Sequence, residues 1–83
     1  MNGYKCVVVM AGHAREAEAW RRTEGLTGRD WIYAGSPRSI EGIRPTRVVR
    51  LPGFSRHRYA WEIERLIERT LVRQNNSIEI ECL

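Results

Sequence analysis

The feature that most constrains this chain is an apolar run at residues 5–10 (KCVVVM), which is rich in β-branched valine. A strand without alternation between apolar and polar positions is buried on both faces, as central strands of parallel sheets are. Gly12 follows the run, and residues 13–24 have helical spacing with small alanines that allow close approach to a sheet. The chain is therefore predicted to open with a strand, a glycine turn and a helix.

The rest of the pattern continues this alternation. It predicts a strand at 30–34, a helical turn at 36–42, a strand at 46–51, a helix at 56–74 capped by Ser55, and a strand at 77–82. The β-α-β-β-α-β order predicts an α/β fold: a small, mostly parallel, Rossmann-like sheet of four strands in the order 2-1-3-4. Right-handed crossovers then place one helix on each face. The link at residues 35–45 is barely long enough for a parallel crossover, so an antiparallel hairpin of strands two and three is the alternative.

The last strand alternates cleanly. We expect Ile78, Ile80 and Cys82 to face inward, with Glu79 and Glu81 in water. Outward carboxylates protect an edge strand from pairing with other chains. The fourth strand is therefore predicted at an edge of the sheet.

Length and cysteine content limit the class of protein. The 83 residues correspond to one domain, residues 1–83, and the two cysteines, Cys6 and Cys82, form no metal-binding pattern. Neither a signal peptide nor a membrane-spanning run is visible. We expect a cytoplasmic protein with reduced thiols, no membrane contact, no metal and no cofactor.

The turn after the first strand is similar to a phosphate-binding loop in shape only. A P-loop needs GxxxxGK[ST], whereas the segment AGHAREAEA has one glycine and neither lysine nor hydroxyl, and GxGxxG is also absent. A helix N-terminus still attracts anions. Any small anion is expected where strands one and three diverge, in a crevice formed by Gly12, His13, Gly53, Ser55, Arg56 and His57.

Two segments carry a family resemblance. VVVMAGHAREAEAWRR (residues 7–22) resembles the strand and helix after the nucleotide loop of helicase and terminase cores. EGIRPTRVVRLPG (residues 41–53) is similar to their Walker B stretch G-x-R-P-x-x-V-V-x-D-E, but Leu51 and Pro52 stand in place of the acidic pair. The resemblance implies an NTPase-like fold without its catalytic parts.

Size and composition also resemble the small orphan proteins of actinobacterial phages. That resemblance implies a host-interaction or regulatory factor, whose partner is a host protein.

The basic residues are almost all arginines. Lys5 is the one lysine in a chain of net charge +4, and no acid occurs between Glu41 and Glu62. GC-rich codon usage is one interpretation of the arginine excess, and selection for bidentate contacts to phosphates or carboxylates is the other. The clustering of arginines in one window is consistent with a local nucleic-acid-binding patch. The window that would form this patch contains Arg44, Arg47, Arg50, Arg56 and Arg58.

Catalytic residues are not predicted. His13 and His57 each follow a strand at a predicted helix start and are interpreted either as surface histidines or as an acid–base pair across the crevice. Ser55 is better explained as a cap than as a nucleophile. The chain is therefore not expected to be an enzyme.

The long helix has two different faces. Its core stripe is predicted to contain Tyr59, Ile63, Leu66, Ile67 and Thr70. Trp61 points almost opposite and shares its face with Arg65, Glu68 and Val72. The charged residues of the helix are interpreted as a solvated face.

An exposed tryptophan on that face is either incidental or an anchor for a partner. A two-fold axis would set each Arg65 near the Glu68 of a second copy, which is the self-complementarity that an isologous dimer needs. Self-association through Trp61, Arg65, Glu68 and Val72 is therefore expected.

Three functions remain open at this point. The leading one is a non-enzymatic interaction protein that binds a host protein or a second copy of itself. The alternatives are a nucleic-acid-binding module that uses the arginine window, and a small nucleotide- or phosphate-binding enzyme or sensor that uses the crevice.

Overall fold

A parallel sheet forms the centre of the molecule. The computed structural model describes residues 6–74 and 78–83, and within them four strands pair in the order β2-β1-β3-β4. The strands are β1 (Val7–Met10), β2 (Trp31–Tyr33), β3 (Arg47–Arg50) and β4 (Ile80–Cys82). Every pairing is parallel, which confirms the predicted α/β, Rossmann-like sheet and its strand order.

The first strand is buried on both faces, as its composition predicts. All four residues of β1 are at most 4% exposed, and Val8 pairs with Ile32 on one side and Val48 on the other. Because β2 and β3 lie on opposite sides of β1, they cannot form a hairpin with each other. The antiparallel alternative is therefore wrong.

Two helices cover opposite faces of the sheet, as right-handed crossovers require. Helix α1 (Ala14–Glu24) brings Ala17 and Trp20 against the face that carries Val7 and Val9. Helix α2 (Ala60–Gln74) packs on the other face through the buried residues Ile63, Ile67 and Leu71. Alternate side chains of β1 therefore pack into two separate cores, one on each face of the sheet.

Local signals end the first helix and shape the turns where the sequence predicts. Gly25 ends α1 in the left-handed region at φ 73°, and the Leu26 amide donates to the Arg21 carbonyl. Ser36 caps a short 3₁₀ helix, Pro37–Ile40, that lies between β2 and β3. Gly42 then takes a positive φ of 73°, which favours glycine at that turn.

The start of the long helix differs from the prediction. Residues Pro52–Arg56 form a second 3₁₀ helix and α2 begins at Ala60, so Ser55 is not its cap. Phe54 is fully buried, and this burial holds the segment as a 3₁₀ turn. Tyr59 precedes α2 and is 37% exposed, so it is not part of the core stripe.

The edge strand follows its predicted alternation at two of three inward positions. Ile78 and Ile80 pack against the α2-side core, and Glu81 is exposed. Cys82 is exposed, contrary to the prediction, because it lies at the end of the sheet in register with the half-buried Arg50. The expected strand starts at Lys5 and Ser77, and Asn75 and Asn76, which follow the expected end of the long helix, lie outside the described residues.

No helix among residues 6–74 and 78–83 combines the length and apolar character needed to cross a membrane.

Phe54 offers a direct test of this core. Phe54→Ala is expected to lower the free energy of unfolding by about 3–5 kcal/mol, because it empties a fully buried aromatic site. Trp61→Ala, which truncates an aromatic side chain that is 68% exposed, is expected to change it by no more than about 0.5 kcal/mol. Urea unfolding of both variants measures the difference, and equal losses would contradict the described packing.

A second test uses the ion pair that joins β3 to β4. Both Glu81 carboxylate oxygens accept from Arg47, from Nε and Nη2 at 2.9 Å each, and this contact lowers the pKa of Glu81 below its ordinary value. As pH falls, Glu81 therefore binds a proton in the unfolded chain at a higher pH than it does in the folded protein. The stabilisation by Glu81 is complete above its ordinary pKa and is lost as pH falls through the folded-state pKa.

Glu81→Gln is therefore expected to flatten the loss of stability at pH values below the ordinary glutamate pKa, measured by urea unfolding at several pH values. Glu79→Gln is the matched control, because Glu79 is exposed and forms no ion pair within the described residues. An unchanged pH dependence in Glu81→Gln would show that the pair does not contribute.

Candidate functional site

The carboxyl ends of β1 and β3 meet where the strand order reverses. Parallel sheets bind ligands at such a point. Gly12 follows β1 and Gly53 follows β3, and the two backbones are so close that a Cβ on Gly12 would overlap the Gly53 carbonyl oxygen. The structure therefore brings these two predicted crevice residues together.

The carboxylate of Glu16 lies between these two glycines. Its Oε1 accepts from the Gly12 amide at 2.7 Å, and its Oε2 accepts from the Gly53 amide at 2.8 Å. Glu16 is the third residue of α1, where a carboxylate also interacts favourably with the positive end of the helix dipole. One side chain thus joins the two loops that border the crevice.

This carboxylate occupies the donors that an outside anion would use. An incoming phosphate meets a negative charge on the same two amides, and it must displace Glu16 to bind them. The negative charge also acts on its surroundings, since burial and Glu16 together raise the pKa of Tyr33. Anion binding in this crevice stays a prediction that now requires Glu16 to move.

The other predicted crevice residues are arranged differently. His13 precedes α1 in extended backbone conformation, and its side chain makes no capping bond. Ser55 and Arg56 are exposed on the second 3₁₀ helix. Because α2 begins at Ala60, its N-terminus does not directly follow β3.

His57 is half-buried in an aromatic cluster beside the crevice. Its ring centroid lies 6.3 Å from that of Tyr33 and 6.1 Å from those of Phe54 and Tyr59. Its Nδ1 accepts from the Tyr59 amide at 2.9 Å. In the described part of the chain no hydrogen bond joins His57 to His13 or to a carboxylate, and no cluster of metal-binding side chains is found.

The arginine window of the sequence is divided in space. Arg47 pairs with Glu81 and Glu24, and its guanidinium lies over Trp20 on the α1 side. Arg50 pairs with Glu64 and lies over Phe54 on the α2 side. Two of the five arginines are therefore engaged within the chain, on opposite faces of the sheet.

The other three arginines of the window have different surroundings. Arg44 lines a cleft with Arg73 of α2, whereas Arg58 stacks on Tyr59 and Arg56 is exposed on the second 3₁₀ helix. The window is continuous in sequence, but it places Arg47 on the α1 side of the sheet, Arg50 on the α2 side and Arg44 in a cleft beside α2.

The exposed face of α2 carries the residues predicted for self-association. Trp61 is 68% exposed and Val72 is 78% exposed, and Arg65 and Glu68 are exposed between them. The Arg65 guanidinium lies 4.7 Å from the Trp61 ring centroid, so it covers one ring face within the same chain. The Trp61 side chain nevertheless remains largely exposed.

Three arginines form a row on the same helix, and two of them, Arg69 and Arg73, are not among the residues that the sequence predicts for a contact. Arg65, Arg69 and Arg73 follow Trp61 at steps of four residues, and all are exposed. No carboxylate of the described residues lies within ion-pair distance of these three guanidinium groups. The four-residue spacing of these arginines is visible in the sequence. The glutamates of the same helix, however, suggest ion pairs with the arginines, and the described residues do not form them.

Two clefts lie along α2. One, of about 430 Å³, is lined by Pro37 and by α2 residues from Trp61 to Arg69. The other, of about 620 Å³, is lined by residues 42–46 and by Thr70, Arg73 and Gln74. Both have one wall from α2 and one from the connection between β2 and β3.

Comparison with protein-family models, with curated proteins and with solved structures finds no match to this chain.

The Glu16 bridge can be tested by its contribution to stability. Glu16→Gln is expected to lower the free energy of unfolding by about 1–3 kcal/mol, because it weakens two hydrogen bonds to a charged group. Glu18→Gln on the same helix removes two partly exposed ion pairs, with Arg21 and Arg22, and is expected to cost less than about 1 kcal/mol. Urea unfolding measures both, and a smaller loss in Glu16→Gln than in Glu18→Gln would argue against the bridge.

Proposed function

We propose that this protein is a non-enzymatic interaction module that binds another protein, such as a host protein, through the exposed face of α2. The observation that carries the proposal is Trp61, which is 68% exposed and lies on the same helix face as the exposed Arg65 and Arg69. Tryptophan and arginine are among the residues most enriched at the energetic centres of protein interfaces. We also propose a cytoplasmic setting, which agrees with the free thiols of Cys6 and Cys82.

The crevice supports the proposal because it weighs against the alternative of a ligand-binding function. Its two backbone amides already donate to Glu16, so the position where a Rossmann-like sheet holds a ligand is filled by the chain itself. A nucleotide-binding enzyme or sensor would need these donors free. The division of the arginine window likewise weighs against a nucleic-acid surface built from Arg44, Arg47, Arg50, Arg56 and Arg58.

A second copy of the chain is the second candidate partner. The exposure of Val72 and the opposite charges of Arg65 and Glu68 favour it, because they give the face the self-complementarity of a two-fold interface. The same surface thus serves a different protein or a dimer, and one experiment distinguishes them.

Photo-crosslinking tests the proposal. A photoreactive phenylalanine analogue in place of Val72 is expected to crosslink one protein species in cells that express the chain. The crosslink should be lost when Trp61→Ala is added, because an anchor at an interface centre is worth about 2 kcal/mol or more. A crosslinked product of twice the chain mass identifies the second copy as the partner.

The matched control carries the same analogue at Thr23, an exposed position on α1. Equal crosslinking from Thr23, or a Val72 crosslink that survives Trp61→Ala, would contradict the proposed surface. Circular dichroism of each variant checks that the fold is retained.

A further inference from the structure

We propose that the partner presents an extended acidic peptide segment, which lies in the groove formed by the two clefts between α2 and the β2–β3 connection. This inference rests on the proposed function, since it names the chemistry of the partner at the same face. The groove is defined by Pro37 and residues 42–46 on one side and by α2 on the other.

The groove has the length of a short peptide. Its α2 wall runs from Trp61 to Gln74, which at 1.5 Å per residue is about 20 Å. An extended chain rises about 3.3 Å per residue, so roughly six residues fill this length. The clefts follow one another along the helix, because Arg69 lines the first and Arg73, about one turn further on the same face, lines the second.

The charge of the groove selects an acidic segment. Four arginines line it against one carboxylate, that of Glu62; they are Arg44, Arg65, Arg69 and Arg73. None of the four forms an ion pair within the described residues. Guanidinium groups bind carboxylates through paired hydrogen bonds, so carboxylates on the partner supply what this surface lacks.

An apolar residue is expected in the segment at the Trp61 end. Trp61, Leu66 and Pro37 line the first cleft together, and Leu66 is half-buried against the core. An apolar side chain placed there removes this surface from water, while the arginines further along the helix hold the acidic residues. The expected segment therefore combines one apolar residue with several carboxylates.

A peptide fits the groove better than a nucleic acid does. Binding of single strands relies on successive aromatic platforms for the bases. Among the described residues, Trp61 is the one aromatic side chain that lines either cleft, and Arg65 covers one face of its ring.

Fluorescence anisotropy with synthetic probes tests the inference. The probe is a short labelled peptide of aspartate and glutamate with one central leucine. Its controls are the same peptide with amides in place of carboxylates, the same peptide with serine in place of leucine, and an oligothymidine of equal length. We expect the acidic leucine peptide to bind tightest, and each control to bind more weakly.

Variants of the chain locate the binding. The double variant Arg69→Gln and Arg73→Gln is expected to weaken binding of the acidic peptide about tenfold or more, since it removes two carboxylate partners. The control double variant Arg15→Gln and Arg29→Gln makes the same change of net charge at exposed positions outside the groove, where the described residues show no ion pair. This control should bind the peptide as the unmodified chain does.

The outcomes separate this inference from the proposed function. Equal weakening by both double variants, equal binding of the amide peptide, or tighter binding of oligothymidine would overturn the acidic-peptide assignment. If the Val72 crosslink depends on Trp61 while the groove variants bind the acidic peptide unchanged, the interaction surface stands and the groove assignment falls. If Trp61→Ala leaves the crosslink intact, the proposed function itself fails.

Discussion

Burial of β1 on both faces is the constraint on which the rest of the structure depends. A strand of four fully enclosed residues needs a neighbouring strand on each side and a helix over each face. In a chain of 83 residues, the two neighbouring strands and the two helices account for most of the remaining helices and strands. What remains exposed is the outward face of two helices, two sheet edges and the loops at the strand ends.

The polar groups at the strand-end loops have partners within the chain, whereas several of those on the surface of α2 have none among the described residues. At the loops, Glu16 satisfies the Gly12 and Gly53 amides, so hydrogen-bonding capacity is used internally. On α2, three arginines have no carboxylate partner in the described residues, and a tryptophan is left in water. This contrast is why the proposed contact lies on the helix and not at the position where such sheets usually bind ligands.

The sheet is predictable from the sequence because its signals are local, such as the apolar run of β1 and the turn chemistry of Ser36. The start of α2 is not predictable in this way. Burial of Phe54 outweighs the capping preference of Ser55, and burial is a property of the assembled fold.

The candidate site is less predictable, because it also depends on the assembled fold. Topology predicts that Gly12 and Gly53 converge, but the bridge by Glu16 depends on the position of Gly53, which is distant in sequence. Its one local signal is a glutamate four residues after Gly12, at a position typical of capping boxes.

The tethered carboxylate of Glu16 also has a thermodynamic meaning for any free anion. A group held on the same chain acts at an effective concentration of roughly millimolar order or higher. A dissolved anion of equal intrinsic affinity therefore has to reach that concentration before it occupies half of the crevices. The fold carries its own competitor, so shortening or neutralising the Glu16 side chain lowers the anion concentration that the crevice needs.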